Sequence, residues 1–232
     1  KRNHYPDSTE EIMKLRAVAF DIDGTLYPNW QMFLASLPTF LIAPFSVAAF
    51  GKVRREIRTL TYDEDFYALQ ARLLARRLRC GEERARRILE RKFYGLWKWS
   101  YGLIRPYPHL RETMMALRGR GLKLGVLSDF PPQRKLEALG VDDLPDTVVC
   151  SERTGYLKPH AVPFLNLARR LEAKPEEILY VGNNYAYDVE GARAAGMKTA
   201  YIGRYSFRRH GADIYFTSFP QLREKVDGVL RQ

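Results

Sequence analysis

Asp21 and Asp23 close a short apolar run, AVAF at 17–20, within the segment AVAFDIDGTLYP at 17–28. Residues two apart on extended backbone project to the same side, so both carboxylates face one point. Like charges so close repel unless a cation, a shared proton or a substrate offsets them, and Gly24 permits the sharp turn that aims them. A DxDG turn alone is as often a solvated loop as a site. Its companions lie downstream: Ser128 and Asp129 after the apolar run 122–127, Lys158 before Pro159 in GYLKPH (155–160), and Asn183 and Asn184 after Val181 and Gly182, with Asp188 one helical turn later. Two carboxylates, a hydroxyl, a fixed ammonium and a third acid suit phosphoryl transfer, whose loose transition state needs positioning and charge neutralisation. A carboxylate can attack phosphorus and carry the phosphoryl group. A hard cation such as Mg²⁺, held by carboxylate, carbonyl and water, lets that anion approach an anionic phosphate. Each residue also has a plainer reading: Ser128 as a strand-end cap, Lys158 as a solvated lysine, Asp188 as an acid favoured by a helix dipole.

The elements that must position these residues follow from hydrophobic period. Short apolar strands at 17–20, 122–127, 147–150, 178–181 and 198–202, and a last one at 214–217, alternate with helical patterns at 109–120, 132–139, 161–171, 185–195 and 219–230. That alternation predicts an α/β fold, a Rossmann-like three-layer parallel sheet covered on both faces. Ligands bind such sheets at the carboxyl ends of the strands, where the polar residues fall. The GYLKPH segment places Lys158 at the first turn of a helix. Residues 63–99 read as two helices meeting at Cys80 and Gly81, with apolar stripes (Leu69, Leu73, Leu74, Leu78; Ala85, Ile88, Leu89, Phe93) and an aromatic end at Trp97, Trp99 and Tyr101. Residues 8–11 (STEE) have capping-box spacing for a short helix through Met13.

Four motifs in order, DIDGTL at 21–26, VLSD ending in Asp129, Lys158 followed by Pro159, and VGNNYAYDVEGARAAGM at 181–197, resemble those of the haloacid dehalogenase-like hydrolase superfamily. The resemblance covers 15–29 and 106–205. It implies an all-helical cap domain inserted between the first and second motifs, giving an α/β core of 1–29 and 106–232 and a cap of 30–105. It implies Asp21 as nucleophile, Asp23 as general acid and base whose carbonyl helps bind metal, and Lys158 as the catalytic cation, which also helps bind phosphate with Ser128, Asp129 and neighbouring amides. Mg²⁺ is the implied cofactor, with Asp21, Asp23, Asn183 and Asp188 around it. Asn183 departs from the pattern, which carries an acid there, so the metal site has lost a charge. The implied activity is hydrolysis of a small phosphorylated substrate through an aspartyl-phosphate. Dehalogenation typically lacks the second aspartate and disagrees with Asp23; a sugar-phosphate mutase keeps both and stays open, as does a binding protein whose basic cap grips an anionic partner.

The chain of 232 residues carries a net charge of +11, and residues 30–105 hold most of it, 15 Lys and Arg against 7 Asp and Glu. Such a surface favours anionic partners without choosing among them. No base-reading module or aromatic platform appears, so no nucleic-acid partner is expected. Residues 32–50 contain no charge, a length that could span a bilayer, but Pro38 and Pro44 interrupt it. The expected arrangement is a buried helical pair, packed inside the cap or against a second copy as a homodimer, with no membrane span. Cys80 and Cys150 fit neither a zinc spacing nor a disulfide framework, and the cytoplasm is the expected compartment.

Overall fold

The computed structural model describes residues 14–95, 101–204 and 211–231. Six strands, β1 (Ala17–Phe20), β2 (Lys123–Ser128), β3 (Thr147–Cys150), β4 (Ile178–Gly182), β5 (Lys198–Ile202) and β6 (Ile214–Phe216), form one sheet in the order β3-β2-β1-β4-β5-β6. Every pairing is parallel. Alternation within β1 divides the core into two layers. Val18 and Phe20 pack with Leu124, Val126, Leu179 and Val181 beneath helix α6 (Leu110–Gly119) and the closing helix α10 (Phe219–Leu230). Ala17 and Ala19 face the other way, with Phe164, Leu167 and Leu171 of α8 (Ala161–Leu171) and Ala192 of α9 (Glu190–Ala194). Chain order reverses about β1, which pairs with β2 on one side and β4 on the other. This is the switch point where open α/β sheets leave a crevice beyond the strand ends.

Between β1 and β2 the chain is helical: α1 (Asn29–Ala35), α2 (Leu37–Ile42), α3 (Pro44–Ile57), α4 (Phe66–Leu78) and α5 (Glu82–Ile88), which continues as a π-helix over Leu89–Gly95. These helices have a core of their own, built from Val53, Ile57, Leu69, Leu74, Ala85 and Phe93. Asp65 caps α4, its carboxylate accepting the Ala68 N–H at 2.9 Å. The outgoing and returning segments touch: the Tyr107 N–H donates to the Leu26 carbonyl at 2.9 Å, and the Arg105 N–H to Gln31 Oε1 at 2.6 Å. No helix among the described residues is long and apolar enough to cross a membrane.

Two expectations need correction. Residues 32–50 do not form a buried pair. Pro38 and Pro44 each sit in the first turn of a new helix, α2 and α3, where proline's missing N–H costs nothing, and the resulting short helices leave large apolar side chains exposed. Lys158 is not in the first turn of a helix; α8 starts at Ala161 with His160 as its cap, and Lys158 lies on the turn before it, joined to Pro159 by a cis peptide. The expected helix at 8–13 and the residues Trp97 and Trp99 lie outside the described residues.

Candidate active site

At the carboxyl end of β1, the Asp21 N–H donates to the Val181 carbonyl at 2.9 Å, so the sheet ladder itself carries the carboxylate to the crevice. Two donors fix the side chain: Lys158 Nζ lies 2.7 Å from Oδ1, and the Thr25 hydroxyl donates to Oδ2 at 2.9 Å. Lys158 is buried and also donates to Asp188 Oδ1 at 2.6 Å and to the Tyr180 hydroxyl at 3.2 Å. Asp188 Oδ2 accepts the Asn184 N–H at 2.9 Å, so each Asp188 oxygen is engaged. Burial pushes the Asp21 carboxyl up to about 7; the Lys158 ammonium opposes this, while Asp188 and Asp23 add to it. Lys158 is held well above the ordinary lysine value, because Asp188 and Asp21 outweigh its burial.

Two glycines make the close approaches possible. A Cβ on Gly182 would stand 2.3 Å from that of Asp188, and one on Gly24, whose φ is +88°, would stand 2.1 Å from Asn183 Nδ2. Asn183 thus lies against the acidic turn, with Oδ1 3.4 Å from the Thr25 hydroxyl. Asn184 caps the π-helical turn Tyr185–Val189 by accepting the Tyr187 N–H at 3.1 Å, and this turn delivers Asp188 to Lys158.

Asp23 points to a different set of partners. Its carboxylate accepts from the Tyr27 hydroxyl and from the buried Lys135, whose Nζ lies 2.6 and 2.5 Å from its two oxygens. Ser128 is fully buried and its hydroxyl accepts the Phe130 N–H at 3.3 Å. The Asp129 carboxylate accepts the Lys158 N–H at 3.1 Å and pairs with Arg58 at 2.5 Å. Although burial opposes it, the Lys158, Arg58 and Arg54 charges hold Asp129 below the usual carboxylate range. As an anion already committed to cations, its side chain cannot also hold phosphate; only its backbone N–H remains for that. Asp21, Asp23, Asp129, Lys158, Asn183 and Asp188 therefore line one pocket of about 210 Å³, and Ser128 stands behind it. Among the described residues no group of three or more His, Cys, Asp or Glu is placed to hold a metal ion, consistent with the engagement of Asp188 by Lys158.

Sequence reasoning missed Lys135, Arg54 and Arg58. Lys135 stands in the first turn of α7 (Gln133–Leu139) on the face of the buried Leu139, and Arg54 shares the α3 face of Phe50, Val53 and Ile57. The available signal was a cation at a core position of an amphipathic helix. Arg54 pairs with Glu152 in a buried contact and stacks 4.0 Å from the Phe130 ring centre, while Arg58 donates to the Lys158 carbonyl at 2.8 Å and lies 4.3 Å from the Tyr187 ring centre. The arginines that approach the site thus come from α3, one turn apart, and not from the basic faces of α4 and α5.

The model of the haloacid dehalogenase-like hydrolase family matches residues 15–196. The chain belongs to this family. A glyceraldehyde 3-phosphate phosphatase of Methanopyrus kandleri is 29% identical to this haloacid dehalogenase-like hydrolase over 93% of this chain and 97% of its own. One of Methanothermobacter thermautotrophicus is 31% identical over 81% and 85%, and a phosphoglycolate phosphatase of Salmonella typhimurium 28% over 81% of each. Among solved structures, a 2-haloacid dehalogenase from Pseudomonas syringae superposes with a TM-score of 0.69 at 22% identity, covering 92% of this chain and 99% of its own. A HAD phosphatase from Thermococcus onnurineus gives 0.60 at 23% with the same coverage. At such identities these structures establish the shared fold.

Proposed function

We propose that this haloacid dehalogenase-like phosphatase hydrolyses a small phosphomonoester through an aspartyl-phosphate on Asp21, with Mg²⁺ as cofactor. The observation that carries the reading is the grip on Asp21: Lys158 on one oxygen and Thr25 on the other orient a buried carboxylate towards a pocket whose other walls are polar except at Phe130. An Asp21 oxygen attacks phosphorus and the ester oxygen leaves with a proton from Asp23; Asp23 then takes a proton from the water that displaces phosphate from Asp21. For either transfer Asp23 must exchange its contacts with Tyr27 and Lys135 for the leaving oxygen and then for water. Lys158 neutralises charge as nucleophile and phosphate meet, and the Asp129 N–H holds a phosphate oxygen; the buried Ser128 hydroxyl and the Phe130 N–H must give up their mutual contact to join it.

The residues fit a hard cation. The atoms suited to it are oxygens, and burial raises the Asp21 carboxyl against the pull of Lys158, with Asp188 and Asp23 adding to the rise. Asp21, the Asp23 carbonyl and Asn183 would hold Mg²⁺ together with waters, and Asp188 would support it by anchoring Lys158. Bound there, Mg²⁺ would neutralise phosphate charge. The division that accompanies this reading is a core of 1–29 and 106–232 and a cap of 30–105 that closes the crevice from α3. The relatives suggest phosphorylated two- and three-carbon metabolites as first candidates. The test is phosphate release from glyceraldehyde 3-phosphate, phosphoglycolate and a wider panel, with and without Mg²⁺ and with Asp21→Asn beside the wild type. Mg²⁺-dependent release that Asp21→Asn abolishes is expected; release that survives Asp21→Asn contradicts the reading.

A further inference from the structure

The segment from α1 to the start of α3 is inside-out. Its small and polar residues Ser36, Thr39 and Ala43 are buried, whereas Leu41, Ile42 and Phe45 are 80%, 68% and 85% exposed. The exposed surface is continuous from helix to helix, since the rings of Phe33 on α1 and Phe40 on α2 lie 5.5 Å apart and both are exposed. A water-facing surface has the opposite polarity, and an exposed apolar patch of this extent marks a contact site.

The charges near it indicate what it contacts. From Gly24 to Arg55 the chain has no acidic residue. After Pro44 at its first position, the exposed residues of α3 are Phe45, Ala48, Lys52 and Arg55, a single helical stripe that is apolar at its start and cationic at its end. At 1.5 Å per residue, Lys52 and Arg55 stand roughly 10 and 15 Å behind Phe45 along the axis. That offset matches an apolar tip sunk about 5–10 Å into the boundary between headgroups and acyl chains, with cations left at headgroup level. A second copy is a poorer occupant, because it would bring two insertions of net charge +8 face to face.

We propose that the α1–α3 edge is a docking surface for an anionic bilayer, with Leu41, Ile42 and Phe45 inserting and Lys52 and Arg55 meeting lipid phosphates. It is a peripheral attachment, and Leu41, Ile42, Phe45, Lys52 and Arg55 are not among the residues that line the crevice at the strand ends.

The full chain is sedimented with extruded vesicles of phosphatidylcholine alone and of phosphatidylcholine with phosphatidylglycerol, at low and high salt. The bound fraction is expected to be at least tenfold higher on the anionic vesicles and to fall with salt. The triple variant Leu41→Ser, Ile42→Ser, Phe45→Ser should lose binding by tenfold or more while keeping the wild-type melting temperature, and Lys52→Glu with Arg55→Glu should remove the preference for phosphatidylglycerol. No binding to either vesicle, equal binding to both, or triple-variant binding like that of the wild type would overturn the proposal. So would a wild-type dimer in sedimentation velocity that the triple variant converts to monomer, since a second copy would then cover the face.

Discussion

Asp21 is buried with too little compensation, and its linkage to folding follows from that. Its carboxyl is raised from 3.8 in the unfolded chain to about 7 in the folded one, so between these values the native state binds the extra proton and stability falls as pH rises. The contribution is fully present below about pH 4 and lost by about pH 7, up to roughly 4 kcal/mol at 1.36 kcal/mol per pH unit. In the metal-free protein, the urea midpoint of the wild type should therefore decline relative to that of Asp21→Asn across this window; parallel profiles would contradict the burial argument. Lys135 offers a second test. It holds both oxygens of Asp23, so Lys135→Met should lower kcat by roughly tenfold to a hundredfold through lost orientation, with little change in KM. Equal kcat in steady-state assays would leave Lys135 a packing residue. The motif residues Asp21, Asp23, Lys158 and Asp188 were legible in the sequence because each follows a strand or a turn signal. Lys135, Arg54 and Arg58 were not, because a cation on an amphipathic helix reads as surface until its partner, more than seventy positions away in each case, is known.

At the scale of elements, α3 joins the helical insertion to the core. Its Arg54 pairs with Glu152, which the Tyr94 hydroxyl also contacts at 2.9 Å, and its Arg58 reaches Asp129 and the Lys158 carbonyl. Burial raises the Glu152 carboxyl, and Arg54 is what opposes this. Arg54→Met should accordingly destabilise the protein by about 3–5 kcal/mol, the cost of leaving a buried charge without its partner; a denaturation midpoint unchanged from wild type would show that the pair is dispensable. Strands were readable from apolar runs, and all six agree with the sequence expectation to within a residue at each end. Residues 32–50 were not legible, because an absence of charge does not distinguish a buried helix from an exposed apolar one; the prolines start new helices that turn the apolar side chains outward.

Across the whole molecule the chain carries a net charge of +11, and Arg58 stands at the edge of the crevice. Electrostatic steering of an anionic substrate then predicts that kcat/KM for a phosphate ester falls as salt rises through 0.1 M and beyond, where the Debye length shortens from about 10 Å, while kcat changes little. A kcat/KM independent of salt would make the positive surface irrelevant to capture. The most direct test of the central claim uses an aryl phosphate, whose leaving group needs no proton, with the Asp23→Asn variant. Phosphorylation of Asp21 can then proceed while its hydrolysis, which needs the base, is slowed by roughly 10²- to 10⁴-fold. Rapid mixing should release a stoichiometric burst of aryl alcohol, leave the phosphoryl group on the peptide that contains Asp21, and show neither signal in Asp21→Asn; a label on any other residue, or burst-free turnover that persists without Asp21, would contradict the account.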